Sequence, residues 1–363
     1  MEQLDNYVGT KPVAPEHQID LDKLSVWMKA HVPGFEGPLS MEMFKGGQSN
    51  PTYKLITPKT RYVMRSKPGP VAKLLPSAHA IEREFNVMSG LAGTDVPVPR
   101  MFGLCDDESY IGRAFYIMEF KDGRVLWDQT LPGLTNAQRG EIYDQMNQTL
   151  ANLHKVNYKQ QGLGDYGRPG NYFDRQISRW SKQYTASITT PIDEMDKLIE
   201  WLPKHMPESA KQDLTSIVHG DFRLDNMMFA AEENKVIAVL DWELSTLGHP
   251  IADFSYHCMS WRTPHELSRG IGGVDLKALG IPDELSYIRK YCERTGFFTA
   301  EELYKDWDYY IAFNMFRIAA ILQGIAKRVE AGTASNENAK KSAARARPMA
   351  ELAWKFAQDA GAH

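Results

Sequence analysis

The chain contains few cysteines, and none is spaced for a metal site or a disulfide framework. Only three occur in 363 residues, Cys105, Cys258 and Cys292, and no two of them form a Cys-x-x-Cys pair. Zinc sites and disulfide-rich secreted folds both depend on such clusters. We therefore expect free thiols in a reducing, cytoplasmic setting.

The chain also lacks segments that direct a protein into or across a membrane. Residues 1–5, Met-Glu-Gln-Leu-Asp, form neither the basic nor the apolar region of a signal peptide. No continuous apolar run approaches the length of about 18 residues that predicts a transmembrane helix. We expect a cytoplasmic protein with no membrane partner.

No excess of positive charge is present. The formal net charge is −4 and the isoelectric point is near 6.2, which argues against nucleic acid as the main partner. Hydrophobic residues make up 43% of the chain and charged residues 24%, as in ordinary globular proteins. A length of 363 residues exceeds what one small core accommodates, so we expect two lobes.

The first third of the chain combines β-prone runs with helical spacing. Residues 1–19 are polar and predict a loose arm, and a short helix is expected from Leu21. Helical spacing at 77–91 predicts a second helix. Five short runs predict the strands of an antiparallel sheet: 41–44, 53–56, 62–64, 101–105 and 115–120. We therefore expect an α+β lobe over residues 1–121, with a five-stranded sheet and a helix.

From residue 122 the pattern is mostly helical. Thr135 and Gln138 have the spacing of a capping box, and a long helical tract is expected over 173–202. A short β-rich segment occupies about 216–240, in which 227–229 and 236–240 predict a hairpin. Helices follow to the end of the chain, so residues 122–363 predict a mainly helical C-terminal lobe.

The most informative stretch is His-Gly-Asp-Phe-Arg-Leu-Asp-Asn at 219–226, followed by Val-Leu-Asp-Trp-Glu at 239–243. Asp221 and Asn226 lie on a predicted loop, and Asp241 ends an apolar run that the hairpin returns beside Asn226. Isolated Asp and Asn residues are usually turn formers. Together, in this order, they suit phosphoryl transfer, with Asp221 orienting or accepting a hydroxyl proton and the other two holding Mg²⁺.

These motifs resemble those of the aminoglycoside phosphotransferase and choline kinase family, small-molecule relatives of protein kinases. The resemblance covers roughly residues 22–330 and implies a bilobal protein-kinase-like fold that uses ATP and Mg²⁺. It implies a nucleotide-binding lobe over 1–121 and a lobe over 122–363 that carries the catalytic loop and the acceptor site. Asp221 would be the catalytic base, and Asn226 and Asp241 the Mg²⁺ ligands.

Three further residues around these motifs have implied roles. Asp253 resembles the aspartate that braces the catalytic loop. Arg223 occupies the place of a lysine that reaches the γ-phosphate, with a surface ion pair as the rival interpretation. Glu243 is either an additional metal ligand or a solvated or salt-bridged glutamate.

The same resemblance implies a set of nucleotide contacts in the first lobe. A loop of Gly46, Gly47, Gln48, Ser49 and Asn50 would cover the phosphates. Arg65 or Lys67 would supply the cation for the α- and β-phosphates, with Glu84 as its helix partner and Glu82 as the alternative. Glu119 and Phe120 would form the hinge that binds adenine through its backbone.

The acceptor is expected to be a small hydroxyl compound. Only about a dozen residues separate Asp241 from Asp253, and no Ala-Pro-Glu element follows, so a protein substrate is not favoured. Segments 172–180, 241–250 and 316–324 resemble the phosphotransferase-like domain that is fused to acyl-CoA dehydrogenases. This implies a hydroxyacyl-CoA or hydroxy acid as acceptor and a functional link to an acyl-CoA dehydrogenase.

Some alternatives remain open. His249 stands where that subgroup has aspartate, and we expect it at a loop surface. An anionic acceptor could use cations of the last third, for which the candidates are Arg262, Arg317, Lys327 and Arg328. The other hypotheses are an aminoglycoside- or choline-type kinase, a non-catalytic nucleotide-binding partner of an acyl-CoA dehydrogenase, and a Mg²⁺-dependent phosphohydrolase.

Overall fold

The computed structural model describes residues 9–45, 50–68, 81–268, 270–333 and 337–363. The strands in these ranges are β1 (Thr10–Lys11), β2 (Ser40–Phe44), β3 (Thr52–Ile56), β4 (Arg61–Ser66), β5 (Met101–Cys105), β6 (Phe115–Glu119), β7 (Arg124–Val125), β8 (Ser216–Val218), β9 (Met227–Phe229), β10 (Val236–Val239) and β11 (Thr246–Gly248). The helices are α1 (Leu21–His31), α2 (Ile81–Leu91), α3 (Asn136–Lys155), α4 (Tyr172–Ser187), α5 (Asp193–Lys204), α6 (Glu208–Lys211), α7 (Pro250–Arg262), α8 (His265–Ser268), α9 (Leu276–Leu279), α10 (Glu284–Thr295), α11 (Ala300–Lys305), α12 (Trp307–Glu330), α13 (Glu337–Ala343) and α14 (Ala346–Asp359).

The chain divides into two compact units, and both are discontinuous in sequence. The first comprises Met1–Trp127, Tyr158–Tyr166 and Asp225–Ser245, and the second comprises Asp128–Asn157, Gly167–Leu224 and Thr246–His363. This differs from the single boundary expected between residues 121 and 122. The physical reason is the hairpin β9–β10, whose strand β9 pairs with β7 and so joins the first unit.

The first unit contains an antiparallel sheet in the order β1-β2-β3-β4-β6-β5. All five predicted strands are present in it. The sheet nevertheless has six strands rather than five, because Thr10 and Lys11, in the segment expected to be a loose arm, pair with Phe44 and Met43. A two-residue strand is too short to show the alternation that identifies strands in a sequence.

Helix α1 covers part of this sheet. Asp20 caps the helix by accepting from the backbone N–H groups of Asp22 and Lys23. The buried ring of Trp27 packs edge-on against Phe115, with ring centroids 4.9 Å apart. Helix and sheet therefore share one apolar core.

The second unit is built around α12. Among the described residues, α12 is the one helix that is long and apolar enough to cross a membrane, judged by length and composition alone. Of its most apolar stretch, 72% is buried inside the protein. Its Phe313 contacts Phe173 of α4, with ring centroids 4.9 Å apart. The apolar character of α12 therefore serves core packing in this unit.

The helical tract expected over 173–202 is two helices, α4 and α5, rather than one. The turn between them is held by Tyr184, whose hydroxyl accepts the backbone N–H of Ile192 at 3.0 Å. The capping box of Thr135 and Gln138 at the start of α3 is confirmed. All three cysteines are buried free thiols, as their spacing indicated.

Substitution of Gly123 tests the packing between the start of β7 and the hairpin β9–β10. A Cβ atom at this position would lie 2.4 Å from the carbonyl oxygen of Phe229 and 2.6 Å from Met228 Cγ. We expect Gly123→Ala to lower the free energy of unfolding by about 1–3 kcal/mol, as overpacking does, in urea titrations. Gly164→Ala is the matched control, since nothing lies within 4 Å of its added Cβ. Equal stability of the two variants would contradict this account.

Candidate active site

A buried ion pair joins the sheet and α2 in the first unit. Arg65 of β4 places Nε 3.1 Å from Oε2 of Glu84. Glu84 also accepts hydrogen bonds from Asn50 Nδ2 at 3.1 Å and from the Tyr116 hydroxyl at 3.2 Å. The side chain of Glu84 is 1% exposed and that of Arg65 is 11% exposed. Glu84 is therefore held by two hydrogen-bond donors and one ion pair, from three separate parts of the chain.

The other end of Arg65 reaches two more carboxylates. Its Nη2 atom lies 3.2 Å from Asp241 Oδ1 and 3.7 Å from Glu243 Oε2. Burial disfavours the charge of Arg65, but these carboxylates and Glu84 outweigh it and raise its pKa. Burial raises the pKa of Glu84 to about 7, and the negative charges of Asp241 and Glu243 reinforce that rise against the opposing effect of Arg65.

Lys67 has a different partner. It lies just beyond the end of β4 and forms an ion pair with Glu82 of α2, with both side chains about one-third exposed. The two cations and the two glutamates that the sequence analysis considered therefore form two separate ion pairs. Of the two pairs, Arg65–Glu84 is the one buried beside Asp241.

The predicted hairpin is confirmed, and it brings the two proposed metal ligands to one end. Asn226 directly precedes β9 and Asp241 is the second residue after β10. The backbone N–H of Leu240, between β10 and Asp241, donates to the Asn226 carbonyl at 2.8 Å. Asp241 adopts a left-handed backbone with φ 64°, a conformation that Asp tolerates better than most residues. The next residue, Trp242, is fully buried and donates from Nε1 to the Val239 carbonyl at 2.9 Å.

These oxygen donors fit Mg²⁺ better than a metal held entirely by protein. Within the described residues, no group of three or more His, Cys, Asp or Glu side chains is arranged to hold a metal ion. Mg²⁺ commonly takes one or two protein oxygens and completes its shell with water and substrate phosphates. An amide and a carboxylate at one end of a hairpin meet that requirement. Glu243 is engaged with Arg65, which fits the salt-bridged interpretation of this residue.

A cavity of about 350 Å³ lies within the first unit. Arg65 lines it, together with Glu119 and Phe120 at the end of β6. Its apolar walls come from several strands and from the residue after β10: Phe44, Val63, Met118, Met228 and Leu240. A site of this size, apolar with a few polar groups, is typical of small-molecule and cofactor pockets.

The end of β6 is fixed by its neighbours. Glu119 donates its backbone N–H to the Arg100 carbonyl at 2.8 Å and accepts the Arg100 N–H with its carboxylate at 3.1 Å. The ring of Phe120 lies under the Arg61 guanidinium, 4.5 Å from the ring centroid. Asn50 is the described member of the predicted phosphate loop, while Gly46, Gly47, Gln48 and Ser49 lie outside the described residues.

In the second unit, the loop that carries Asp221 is anchored on Asp253. The Asp253 carboxylate accepts the backbone N–H groups of His219 at 2.7 Å and Gly220 at 2.8 Å. His154 Nε2 lies 3.3 Å from the same carboxylate. Burial would raise the pKa of Asp253, but these hydrogen bonds and the neighbouring histidines lower it overall. Gly220 has φ 82°, which glycine adopts without strain.

Asp221 itself is oriented by two side chains. The Tyr256 hydroxyl donates a short hydrogen bond to its Oδ1. Arg223 Nε lies 3.8 Å from the same oxygen, with 45% of the arginine side chain exposed. Burial, and next the charge of Asp221, raise the pKa of Tyr256, so the tyrosine keeps its proton and donates it. Arg223 therefore forms the ion pair that the sequence left as one of two interpretations.

Arg317 of α12 is a residue whose place the sequence did not predict. It is 7% exposed and donates from Nη2 to the Gly220 carbonyl. Its guanidinium also lies 5.0 Å from the ring centroid of Tyr256. The sequence feature that could have identified it is an arginine within the largely apolar helix α12. Arg317 thus supports both the loop and the tyrosine that contacts Asp221.

Two other expectations about this unit are corrected. His249 is 2% exposed rather than at a loop surface, and its Nδ1 accepts the Ile251 N–H at the start of α7. Burial lowers the pKa of His249 to about 4. Arg262, considered for an anionic acceptor, is instead paired with Glu284 at 2.5 Å and Asp308 at 3.3 Å.

Comparisons with known proteins agree with the motif resemblance. The sequence profile of the phosphotransferase enzyme family matches residues 40–276. The chain is 44% identical to mouse acyl-CoA dehydrogenase family member 10, over 97% of this chain and 32% of that protein. It spans less than half the length of the curated relatives that it matches first, so these relatives contain much additional sequence.

Solved structures show the same fold. A crystal structure from Ralstonia eutropha JMP134, which carries the provisional name aminoglycoside phosphotransferase, is 59% identical with a TM-score of 0.86, covering 94% of this chain and 99% of that one. Choline kinase from Cryptosporidium parvum Iowa II is 11% identical with a TM-score of 0.65, covering 94% and 97%. At 11% identity, the similarity to this choline kinase concerns the fold alone.

The raised pKa of Glu84 predicts a pH-dependent stability. The folded-state pKa of about 7 exceeds the ordinary value of 4.5, so the folded protein binds this proton more tightly than the unfolded chain. The resulting stabilisation is complete below pH 4.5 and is lost as the pH rises through about 7.

Relative to Glu84→Gln, which cannot titrate there, the wild type should lose free energy of unfolding on the order of a few kcal/mol across this window. Urea unfolding of both proteins at a series of pH values measures the difference, because the other titrating groups are common to both. Identical pH slopes would refute the assignment.

Proposed function

Because the chain belongs to the phosphotransferase enzyme family, we propose that it is an ATP- and Mg²⁺-dependent kinase that phosphorylates a hydroxyl group of a small molecule. The observation that carries this proposal is the position of Arg65. Its Nε is held by Glu84 at 3.1 Å, and its Nη2 lies 3.2 Å from Asp241. A cation fixed in this way beside a candidate metal ligand suits the phosphates of a nucleotide.

The first unit would bind the nucleotide. Adenine would occupy the apolar cavity of about 350 Å³, and the backbone at Glu119 and Phe120 would hydrogen-bond its polar edge. Arg65 would pair with the α- and β-phosphates. The loop from Gly46 to Asn50 would cover them. Lys67, paired with Glu82 at the surface, is the less suitable of the two cations.

Asn226 and Asp241 would hold Mg²⁺, with Glu243 as an additional ligand once its contact with Arg65 is exchanged. When bound, the metal neutralises the phosphate charge that develops during transfer. The hairpin contributes by keeping both donors at one end, because Leu240 N–H is bonded to the Asn226 carbonyl.

Asp221 would accept or orient the proton of the acceptor hydroxyl. Its carboxylate is held by the Tyr256 hydroxyl, and its backbone by the anchoring of His219 and Gly220 on Asp253. Such preorganisation matters because a displacement of about 1 Å costs much of the rate of a reaction that depends on positioning. Arg223, paired with Asp221, would exchange that contact for the transferred phosphoryl group.

The acceptor that we favour is a hydroxyacyl-CoA or hydroxy acid, with a functional link to an acyl-CoA dehydrogenase. The name of the mouse relative supports that link, since the chain aligns with a part of an acyl-CoA dehydrogenase family member. A screen of hydroxylated acyl-CoAs, hydroxy acids, choline and aminoglycosides with γ-labelled ATP tests this choice. Transfer only to the cationic acceptors would overturn it.

Substitution of Asp221 tests the proposed base. Asp221→Ala should reduce kcat by about 10²–10⁴-fold, the range that general base catalysis contributes. The affinity for the ATP analogue AMP-PNP should be retained, which calorimetry can measure. The control is Asp359→Ala, an aspartate of α14 that is paired with Lys355 at the surface. Activity equal to that of the control would refute the assignment.

Substitution of Asp241 tests the proposed metal site. Asp241→Ala should remove most of the Mg²⁺-dependent gain in AMP-PNP affinity, because a carboxylate ligand of the metal is lost. Thermal-shift titrations with and without Mg²⁺ measure this gain. Asp106→Ala is the control, since Asp106 is exposed in the same unit. An unchanged Mg²⁺ dependence in Asp241→Ala would count against the site.

A further inference from the structure

A second set of contacts on α2, not used by the chemistry above, reaches the segment that follows the hairpin in the first unit. Arg83 directly precedes Glu84, and successive residues of a helix point about 100° apart. Its Nη2 atom donates to the Tyr166 carbonyl at 2.9 Å and to the Ser245 carbonyl at 3.2 Å. Its guanidinium also lies 4.4 Å from the centroid of the Tyr166 ring. Although Arg83 is exposed, its guanidinium is therefore held by two carbonyls and a ring.

The segment Tyr158–Tyr166, which belongs to the first unit, packs along the same side of α2. A Cβ atom added at Gly90 would lie 2.8 Å from Leu163 Cδ1, so the segment approaches the helix closely there. Gly90 is seven residues after Arg83, and residues seven apart lie on one side of a helix. Leu163 is buried. The segment is therefore fixed against α2 at two points, two turns apart.

Ser245 closes the turn that follows Asp241. Trp242–Leu244 form one turn of 3₁₀ helix, and Ser245 donates to the Trp242 carbonyl from its backbone N–H at 3.1 Å and from its hydroxyl. Because this uses the one hydroxyl proton of Ser245, the Tyr166 hydroxyl is the donor in its short hydrogen bond to Ser245 Oγ. Burial raises the pKa of Tyr166, so the tyrosine keeps the proton that it donates.

Asp241 and Glu243 lie between two fixed points of the backbone. Before them, the backbone N–H of Leu240 is bonded at the open end of the hairpin. After them, Arg83 binds the carbonyl of Ser245. A short segment that is held at both ends has fewer accessible conformations, so less entropy is lost when its side chains are ordered by a ligand.

The contact made by Arg83 differs in kind from the contacts made by Arg65. Arg65 binds carboxylate oxygens of Asp241 and Glu243, which are the atoms that the proposed function assigns to Mg²⁺. Arg83 binds a backbone carbonyl instead, and metal binding by the carboxylates does not compete for that carbonyl. The contact between α2 and this segment that involves Arg83 is therefore compatible with a bound metal.

We propose that Arg83 is a positioning residue that holds the segment from Asp241 to Ser245 in the conformation that binds Mg²⁺. This inference rests on the proposed function and deepens it by naming the contact that fixes the proposed metal ligands. Arg83 is not among the residues that line the cavity of the first unit. Its positive charge by itself disfavours a cation nearby. A positioning role therefore predicts that loss of the guanidinium weakens Mg²⁺ binding, whereas a charge effect alone predicts the opposite.

Calorimetric titration of the full chain with AMP-PNP, with and without Mg²⁺, tests the proposal. Arg83→Met keeps a long side chain on α2 and removes the guanidinium. We expect the gain in AMP-PNP affinity that Mg²⁺ provides to fall about three- to tenfold, the net effect of losing one hydrogen bond. The affinity without Mg²⁺ should change little, because the pair of Arg65 and Glu84 is left in place.

Arg124→Met is the matched control. Arg124 of β7 also donates to two backbone carbonyls, those of Ala230 and Glu233, both at 2.9 Å. These carbonyls belong to the turn of the hairpin, at the end opposite to Asp241. Arg124→Met should therefore lower the free energy of unfolding but keep the Mg²⁺ gain of the wild type. Arg83→Lys keeps the charge but not the planar fork, so it should restore only part of the gain.

Hydrogen exchange in the metal-free protein provides a readout that does not depend on Mg²⁺. The backbone N–H of Ser245, which is bonded to the Trp242 carbonyl, should exchange about tenfold faster in Arg83→Met than in Arg124→Met, because local opening becomes easier. Tyr166→Phe is a milder variant that keeps the ring beside Arg83 and removes the hydroxyl bonded to Ser245. It should accelerate the same exchange, and it replaces Arg83→Met if that variant does not fold.

The outcomes separate this inference from the proposed function. If the wild type shows no Mg²⁺ gain, the proposed metal site fails, and this inference fails with it. If the wild type shows the gain and Arg83→Met retains it as Arg124→Met does, this inference fails alone. Tighter Mg²⁺ binding by Arg83→Met would also overturn it, as would equal exchange of the Ser245 N–H in the two arginine variants.

Discussion

One buried arginine organises the first unit. Arg65 is 11% exposed and faces three carboxylates, Glu84 on α2 and Asp241 and Glu243 after β10. A buried charge is tolerated only where partners compensate its lost hydration. The sheet, the helix and the hairpin must therefore meet at this side chain. The same requirement leaves a cation and acidic oxygens together at the edge of an apolar cavity, which is the arrangement that a nucleoside triphosphate needs.

The second unit also contains a buried charged side chain that needs partners, in this case an aspartate. Asp253 is buried, and it is stabilised by two backbone N–H groups of the loop that precedes Asp221 and by His154. Arg317 holds the same loop through the Gly220 carbonyl. Each contact spans elements distant in the chain. A loop fixed in this way presents Asp221 in one orientation, with Tyr256 bonded to its carboxylate.

Many features were predictable because their signals are local. The period of apolar residues identified the five longer strands and α1, and the turn between 229 and 236 identified the hairpin. The sixth strand escaped notice because two residues carry no pattern. His249 was expected at a loop surface, but it is buried and its Nδ1 caps the start of α7, a contact that no local pattern shows. The division of the chain was not local either, since β9 joins the first unit by pairing with β7.

The sequence by itself determined the phosphotransferase motifs and the types of the main elements, because spacing along the chain is sufficient to define both. Only the tertiary structure showed how the two cations and two glutamates pair, Arg65 with Glu84 and Lys67 with Glu82. The two cations are two residues apart at the end of β4, and the two glutamates are two residues apart on α2. Their pairing therefore depends on how strand and helix pack. The contacts of Tyr256 with Asp221 and of Arg317 with Gly220 likewise arise from folding. They join side chains that are far apart in the chain, so no local pattern encodes their proximity.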